Sequence, residues 1–230
     1  MLLCVPAVLY AHSYVLRELY KLREVTDMNK NIVLCGVGGQ GTVLASKLIA
    51  AAAMKKGISV MSAETIGMAQ RGGSVFSHIR LGEHLHSPMI AKGTADIIIG
   101  FEPAEAVRML PYLKEHGQVI VSSHAIMPVT STLSGVDYNG KEMILYLKKV
   151  VSNLLVVDSE KACHELGSSK VLNILLLGAA ISGGALGLTE EELREAIKDR
   201  LPEKFHDLNY RALHYFQSQQ SDPLSSNICQ

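Results

Sequence analysis

The 230-residue chain has no surplus of basic charge: 22 Lys+Arg stand against 22 Asp+Glu, and no basic run is present. Nucleic-acid binding draws its affinity from cations that displace counterions, so a dedicated nucleic-acid binder is excluded. No stretch of eighteen uninterrupted apolar residues occurs, which argues against a membrane-spanning helix. Cysteine is scarce and scattered. Cys4, Cys35, Cys163 and Cys229 form no C-x-x-C pair of the kind that holds zinc or an iron–sulfur cluster, and they lack the density of a secreted disulfide framework. Any electron-transfer centre must therefore sit on another polypeptide. What remains is 48% hydrophobic and 19% charged, an ordinary globular composition. A chain of this length suits one domain that buries about 70–75% of its unfolded surface.

Met1 to Ala11 is apolar like the middle of a signal peptide, but it lacks a positive leading segment and is broken by Pro6. Ser13 to Glu24 has leucines and a valine at helical spacing between charges, as in a short amphipathic helix. Residues 1–27 are expected to be an N-terminal extension outside the core fold, an artefact of start-codon choice. The core is expected over 28–216, followed by a polar, disordered tail at 217–230. The protein is expected to be cytoplasmic.

The body alternates short apolar strands with helices. Strands are expected at Asn31–Cys35, Ile58–Ser62, Val75–Leu81, Asp96–Phe101, Gln118–Ser122 and Leu154–Asp158, with a hairpin arm at His84–His86. Helices are expected at Thr42–Lys56, Pro103–Lys114, Glu142–Val151, Val171–Ala185 and Glu190–Asp199, with a last one opening at Pro202. Thr189 and Glu192 have capping-box spacing. Val171–Ala185 is apolar nearly all round, which places it in the core or at a subunit contact. The pattern predicts an α/β fold: a mostly parallel, Rossmann-like sheet with helices on both faces and a helical C-terminal part.

Gly36, Gly38 and Gly41 satisfy G-x-G-x-x-G between a strand and a helix. In a dinucleotide fold such glycines permit a tight turn, a close approach to phosphate and close helix–strand packing, while the helix N-terminus favours an anion. Glu64, after the second strand, stands near the position of a ribose-binding carboxylate. The same loop, with its extra Gly39 and Gln40, also suits pure packing or an interface. A second loop, Gln70-Arg71-Gly72-Gly73-Ser74, pairs a planar guanidinium with open backbone; it reads either as a site for phosphate or carboxylate, or as a surface arginine beside a turn. Both loops are expected at one sheet edge, facing one crevice.

Other candidates are weaker. His84 and His86 share a strand face but have no third metal ligand. Ser122-Ser123-His124 lacks the G-x-S-x-G context of a hydrolase. Cys35 reads as a small buried hydrophobe, and Met61, Met68 and Met89 as core filler. No residue stands out as a general acid or base.

NIVLCGVGGQGT at 31–42, GMAQRGGSVFSHIRLG at 67–82 and ADIIIGFEPAEAVRMLPYL at 95–113 resemble the gamma-type domain of 2-oxoacid:ferredoxin oxidoreductases. NILLLGAA at 173–180 and LPEKFHDLNYRAL at 201–213 are similar to the ending of its free-standing form. The resemblance covers about 31–216, and the two glycine motifs together are more specific than either alone. It implies an accessory subunit of a heteromeric enzyme that converts an aryl 2-oxoacid such as indolepyruvate to the acyl-CoA, with ferredoxin as acceptor. Thiamine diphosphate, Mg and [4Fe-4S] clusters would then belong to a large alpha subunit. The chain has no Gly-Asp-Gly segment of the kind that opens a thiamine-diphosphate motif. Carried over by motif are Gly36, Gly38, Gly39, Gln40, Gly41 and Thr42 from the first loop, and Gln70, Arg71, Gly72, Gly73 and Ser74 from the second, with Glu64 between. They are expected to contact coenzyme A or the partner. The competing reading is an independent NAD(P)-binding oxidoreductase or regulator.

Overall fold

A computed structural model describes residues 28–65, 72–127 and 138–220. The expected extension at 1–27, most of the tail, and Met68, Gln70 and Arg71 lie outside the described residues. Six strands form one sheet in the order β2-β3-β1-β4-β5-β6. They are β1 (Lys30–Val37), β2 (Val60–Glu64), β3 (Ser74–Leu81), β4 (Ala95–Gly100), β5 (Leu113–Ser122) and β6 (Asn153–Val157). β1, β4, β5 and β6 pair in parallel, whereas β3 runs antiparallel to both β1 and β2. The crossover from β1 to β2 thus leaves a one-strand gap, which β3 fills by turning back.

Alternation along the central strands divides the core into two layers, as the two-residue period of a strand requires. Ile32, Leu34, Ile97, Ile99 and Ile120 face one cluster, and Val33, Cys35, Ile98, Val119 and Val121 face the other. The first layer is covered by α1 (Thr42–Lys55), α4 (Ser159–Leu166), α5 (Leu172–Ser182), α6 (Glu190–Arg200) and α7 (His206–Gln220). The second is covered by α2 (Pro103–Met109) and α3 (Lys141–Val150). Both faces are therefore dry, which is why these strands read as continuous apolar runs.

Several element boundaries differ from expectation for identifiable reasons. The helix opened by Pro103 ends at Met109 and tightens into a 3-10 turn at Leu110–Tyr112, because Pro111 cannot donate to an α-helical ladder. Lys114 consequently belongs to β5, which begins at Leu113. No strand forms at His84–His86. The chain after Gly82 is irregular, His84 adopts a φ of 55°, and the Arg80 guanidinium donates to the Ser87 carbonyl at 2.9 Å. The two histidines are exposed and share no strand face. Met89 is also exposed instead of filling core.

α5 resolves the choice left open for the apolar helix. Leu172 to Ile181 are all buried within the chain's own core. The Thr189 capping box is complete, with the Thr189 N–H donating to Glu192 Oε2 at 2.8 Å and the Glu192 N–H to Thr189 Oγ1 at 3.2 Å. α7 continues to Gln220, four residues into the expected tail.

Candidate functional site

The carboxyl ends of β1, β2 and β4 and the start of β3 meet at one edge of the sheet. β1 ends at Val37, paired with Ser74, the first residue of β3. One further bond extends that ladder: the Gly38 N–H donates to the Gly73 carbonyl at 2.9 Å. The described parts of the two glycine loops thus lie at one edge, as expected, and are joined backbone to backbone, with the second leading into an antiparallel strand.

The first loop closes around Gln40. Its Oε1 accepts the Val37 N–H at 2.7 Å, and its Nε2 donates to the Phe101 carbonyl at 2.8 Å. The Phe101 N–H in turn donates to the Cys35 carbonyl at 2.7 Å. Gln40 therefore satisfies backbone groups at the ends of two neighbouring strands, which must otherwise be left unpaired. Gly36 makes room for it: a Cβ there would lie 2.7 Å from Gln40 Oε1 and 2.8 Å from Phe101 Cβ. Gly41 is the N-cap of α1 in the left-handed region (φ 81°), and a Cβ would meet Asn173 Nδ2 of α5 at 2.7 Å. Gly39 is exposed, with open space where its side chain would be. Thr42 is buried at the first turn of α1, which has no side-chain cap.

Two acids missed by sequence reading complete the edge. β4 is followed by Phe101-Glu102-Pro103-Ala104-Glu105, which runs into α2, and both glutamates are buried, at 2% and 6% exposure. Glu102 is the N-cap of α2: its Oε2 accepts the Glu105 N–H at 3.0 Å, and Pro103 follows at the first helical position. Glu102 Oε1 accepts the Tyr138 hydroxyl at 2.5 Å, and the Tyr138 oxygen accepts the Ala104 N–H at 3.2 Å. Glu105 Oε2 accepts the Ser74 hydroxyl at 2.5 Å and faces the Arg108 guanidinium at 3.4 Å. Burial pushes the Glu102 carboxyl above its ordinary range, and burial followed by the Glu102 carboxylate raises the Tyr138 phenol. Burial, then Glu105 and Glu102, raise the Cys35 thiol, which is wholly buried. It is an inert hydrophobe, as expected. A pair of acids directly after an apolar strand, with proline between them, is a readable N-cap signal; only the sheet order shows that the second acid meets Ser74.

Among the predicted site residues, the structure gathers Gly36, Gly38, Gly39, Gln40, Gly41, Thr42, Gly72, Gly73 and Ser74 at one edge. Glu64 is different. It ends β2 opposite Ser77 of β3, so a whole strand separates it from β1. With strands about 4.8 Å apart, that places the Glu64 backbone roughly 10 Å from the β1 backbone, beyond the adjacent-strand position a dinucleotide fold uses for ribose. The Ser122-Ser123-His124 group is not a catalytic triad: Ser122 Oγ bonds Ser159 Oγ at 2.6 Å, while the His124 ring bonds Glu160 at 2.6 Å. Around it lie two grooves of about 540 and 730 Å³, which share His124 and Glu160.

This fold recurs in known proteins. The family model for pyruvate ferredoxin/flavodoxin oxidoreductase matches residues 31–215. The chain belongs to this family. Indolepyruvate oxidoreductase subunit IorB of Methanothermobacter thermautotrophicus is 40% identical over 186 residues, spanning 80% of this chain and 94% of the relative. The same subunit of Archaeoglobus fulgidus is 38% identical over 187 residues, spanning 81% and 92%. The gamma subunit of a keto/oxoacid ferredoxin oxidoreductase from Geobacter sulfurreducens has the same fold, with a TM-score of 0.58 at 22% identity over 80% of this chain and 94% of that one. As a member of the pyruvate ferredoxin/flavodoxin oxidoreductase family, the chain shares its fold with free-standing subunits of such enzymes.

Proposed function

We propose that this chain is the accessory subunit of a heteromeric, cytoplasmic oxidoreductase that decarboxylates an aryl 2-oxoacid, indolepyruvate foremost, to the acyl-CoA with ferredoxin as acceptor. The observation that carries this reading is the 40% identity across 94% of a subunit named for indolepyruvate oxidation.

The chain's own residues do not fit the redox cofactors such a reaction needs. Cys35 and Cys163 lie on separate elements, β1 and α4, and burial raises both thiols, whereas a cluster requires several converging thiolates. Among the described residues, no group of three or more His, Cys, Asp or Glu is placed to hold a metal ion. Thiamine diphosphate, Mg and [4Fe-4S] clusters are accordingly assigned to a large alpha subunit, from which electrons pass to ferredoxin.

This chain's part is to present a shaped edge. In our reading, exposed Gly39 before α1, together with Gly72, Gly73 and Ser74, contacts coenzyme A or the alpha subunit, buried Thr42 shapes the start of α1 from inside, and Gln70 and Arg71 of the second motif are proposed as further contacts. Gln40 holds the first loop in shape from inside. NAD(P) binding is the weaker reading, since Gln40 engages the Val37 N–H and β3 separates Glu64 from the first loop.

The test is reconstitution. The complete complex should reduce ferredoxin with indolepyruvate and coenzyme A, and the complex lacking this chain should not. Arg71→Ala should raise the coenzyme A KM or weaken assembly. Full activity without this chain, or 2-oxoacid oxidation by this chain alone, would overturn the reading.

A further inference from the structure

We propose that Glu105 is a positioning residue that sets the affinity of this edge for coenzyme A by holding Gly73 and Ser74 against the first glycine loop. The proposal rests on the reading above, in the form in which the loop residues contact coenzyme A.

The second loop enters β3 through Gly73 and Ser74. Beyond the β1–β3 ladder, which ends at the Val37–Ser74 pair, its described link to the first loop is one backbone bond, from the Gly38 N–H to the Gly73 carbonyl. The next residue, Ser74, is exposed, yet its hydroxyl is held at 2.5 Å by a carboxylate that is itself 6% exposed. A hydroxyl bonded to a carboxylate is about twice as strong a tie as a neutral pair, and it is directional. Glu105 cannot drift, because its own N–H is fixed by Glu102 and its helix starts directly from β4, the strand beside β1. The sheet thereby dictates where Glu105 stands, and Glu105 fixes the Ser74 side chain at the last pair of the β1–β3 ladder, next to the carbonyl that receives Gly38.

The energetics point the same way. Burying a carboxylate is costly, and an apolar side chain of similar size commonly gives a more stable protein. Glu105 lies next to a second buried carboxylate, Glu102, whose charge it opposes. Such an arrangement is poor for stability alone but well suited to fixing one loop conformation.

Two measurements test the proposal together. In the isolated full chain, Glu105→Ala should speed amide exchange at Gly38 about tenfold, with Ile32–Leu34 and Ile97–Ile99 unchanged, and Ser74→Ala should do the same. In the assembled complex, both variants should raise the coenzyme A KM about tenfold with kcat held. Glu105→Gln keeps an oxygen for the Ser74 hydroxyl and should restore most of both readouts. Arg108→Ala removes the exposed partner of the same carboxylate and should change neither.

A uniform rise in exchange across the core strands would reveal a purely stabilising residue and overturn the proposal, as would unchanged exchange at Gly38. Local loosening with an unchanged KM would overturn it too. Failure of the underlying reading looks different: the wild-type complex would then work equally well without this chain.

Discussion

Gln40 and Gly36 behave as one unit, because the glycine leaves the space that the amide fills. Gly36→Ala should cost about 1–3 kcal/mol by overpacking. Gln40→Ala should cost a similar amount by unpairing the Val37 N–H and the Phe101 carbonyl. The double variant should cost less than the sum, since removing the amide relieves part of the clash; urea denaturation of the three variants measures this coupling. A second residue-scale expectation concerns pH. His78 is wholly buried on β3, its Nδ1 accepts the Ile90 N–H at 3.0 Å, and its Nε2 has no hydrogen-bond partner among the described residues. Burial lowers its pKa from 6.5, so below that pH the unfolded chain binds a proton that the folded one refuses. Stability must then fall with pH, by up to about 1.4 kcal/mol per unit. Glu102, raised from 4.5, gives the opposite slope just above that value: stability is lost as pH rises toward its folded pKa. Urea midpoints between pH 7 and 5 should show the wild type losing stability relative to His78→Gln, which keeps an acceptor for Ile90.

At the level of elements, most strands and helices were legible because both faces of the sheet are covered and the helix ends are written in side chains. Thr189 with Glu192 announced α6, and the continuous apolar runs announced β4 and β5. Two features were not legible. The antiparallel insertion of β3 depends on pairing between distant segments, which no local pattern records, and it displaced Glu64 from its expected place. The Glu105–Ser74 contact spans 31 residues and needed that same sheet order. The stabilising elements also differ in how much substitution they should tolerate. A Cβ at Gly178 of α5 would lie 2.4 Å from the Leu213 carbonyl oxygen of α7, a backbone atom that cannot step aside. Gly178→Ala should therefore cost about 3 kcal/mol or more. Thr189→Ala, which removes an exposed cap, should cost about 1 kcal/mol. Thermal midpoints of the two variants give the comparison.

For the whole molecule, the two-layer core explains how the chain forms a stable body. α5 is buried inside the chain and is not kept for a partner, so the isolated protein should fold without its complex. No single described helix is long and apolar enough to cross a bilayer. The ties across the carboxyl edge have a temporal consequence. Gly38 to Gly73, Gln40 to Phe101 and Ser74 to Glu105 each join residues more than thirty positions apart, and each needs the sheet already in order. Such contacts form after the folding nucleus. Substitutions at Gln40, Ser74 or Glu105 should leave the refolding limb of a chevron nearly still and lift the unfolding limb to faster rates. The carboxyl-edge loops would then be last to arrive in folding and first to leave.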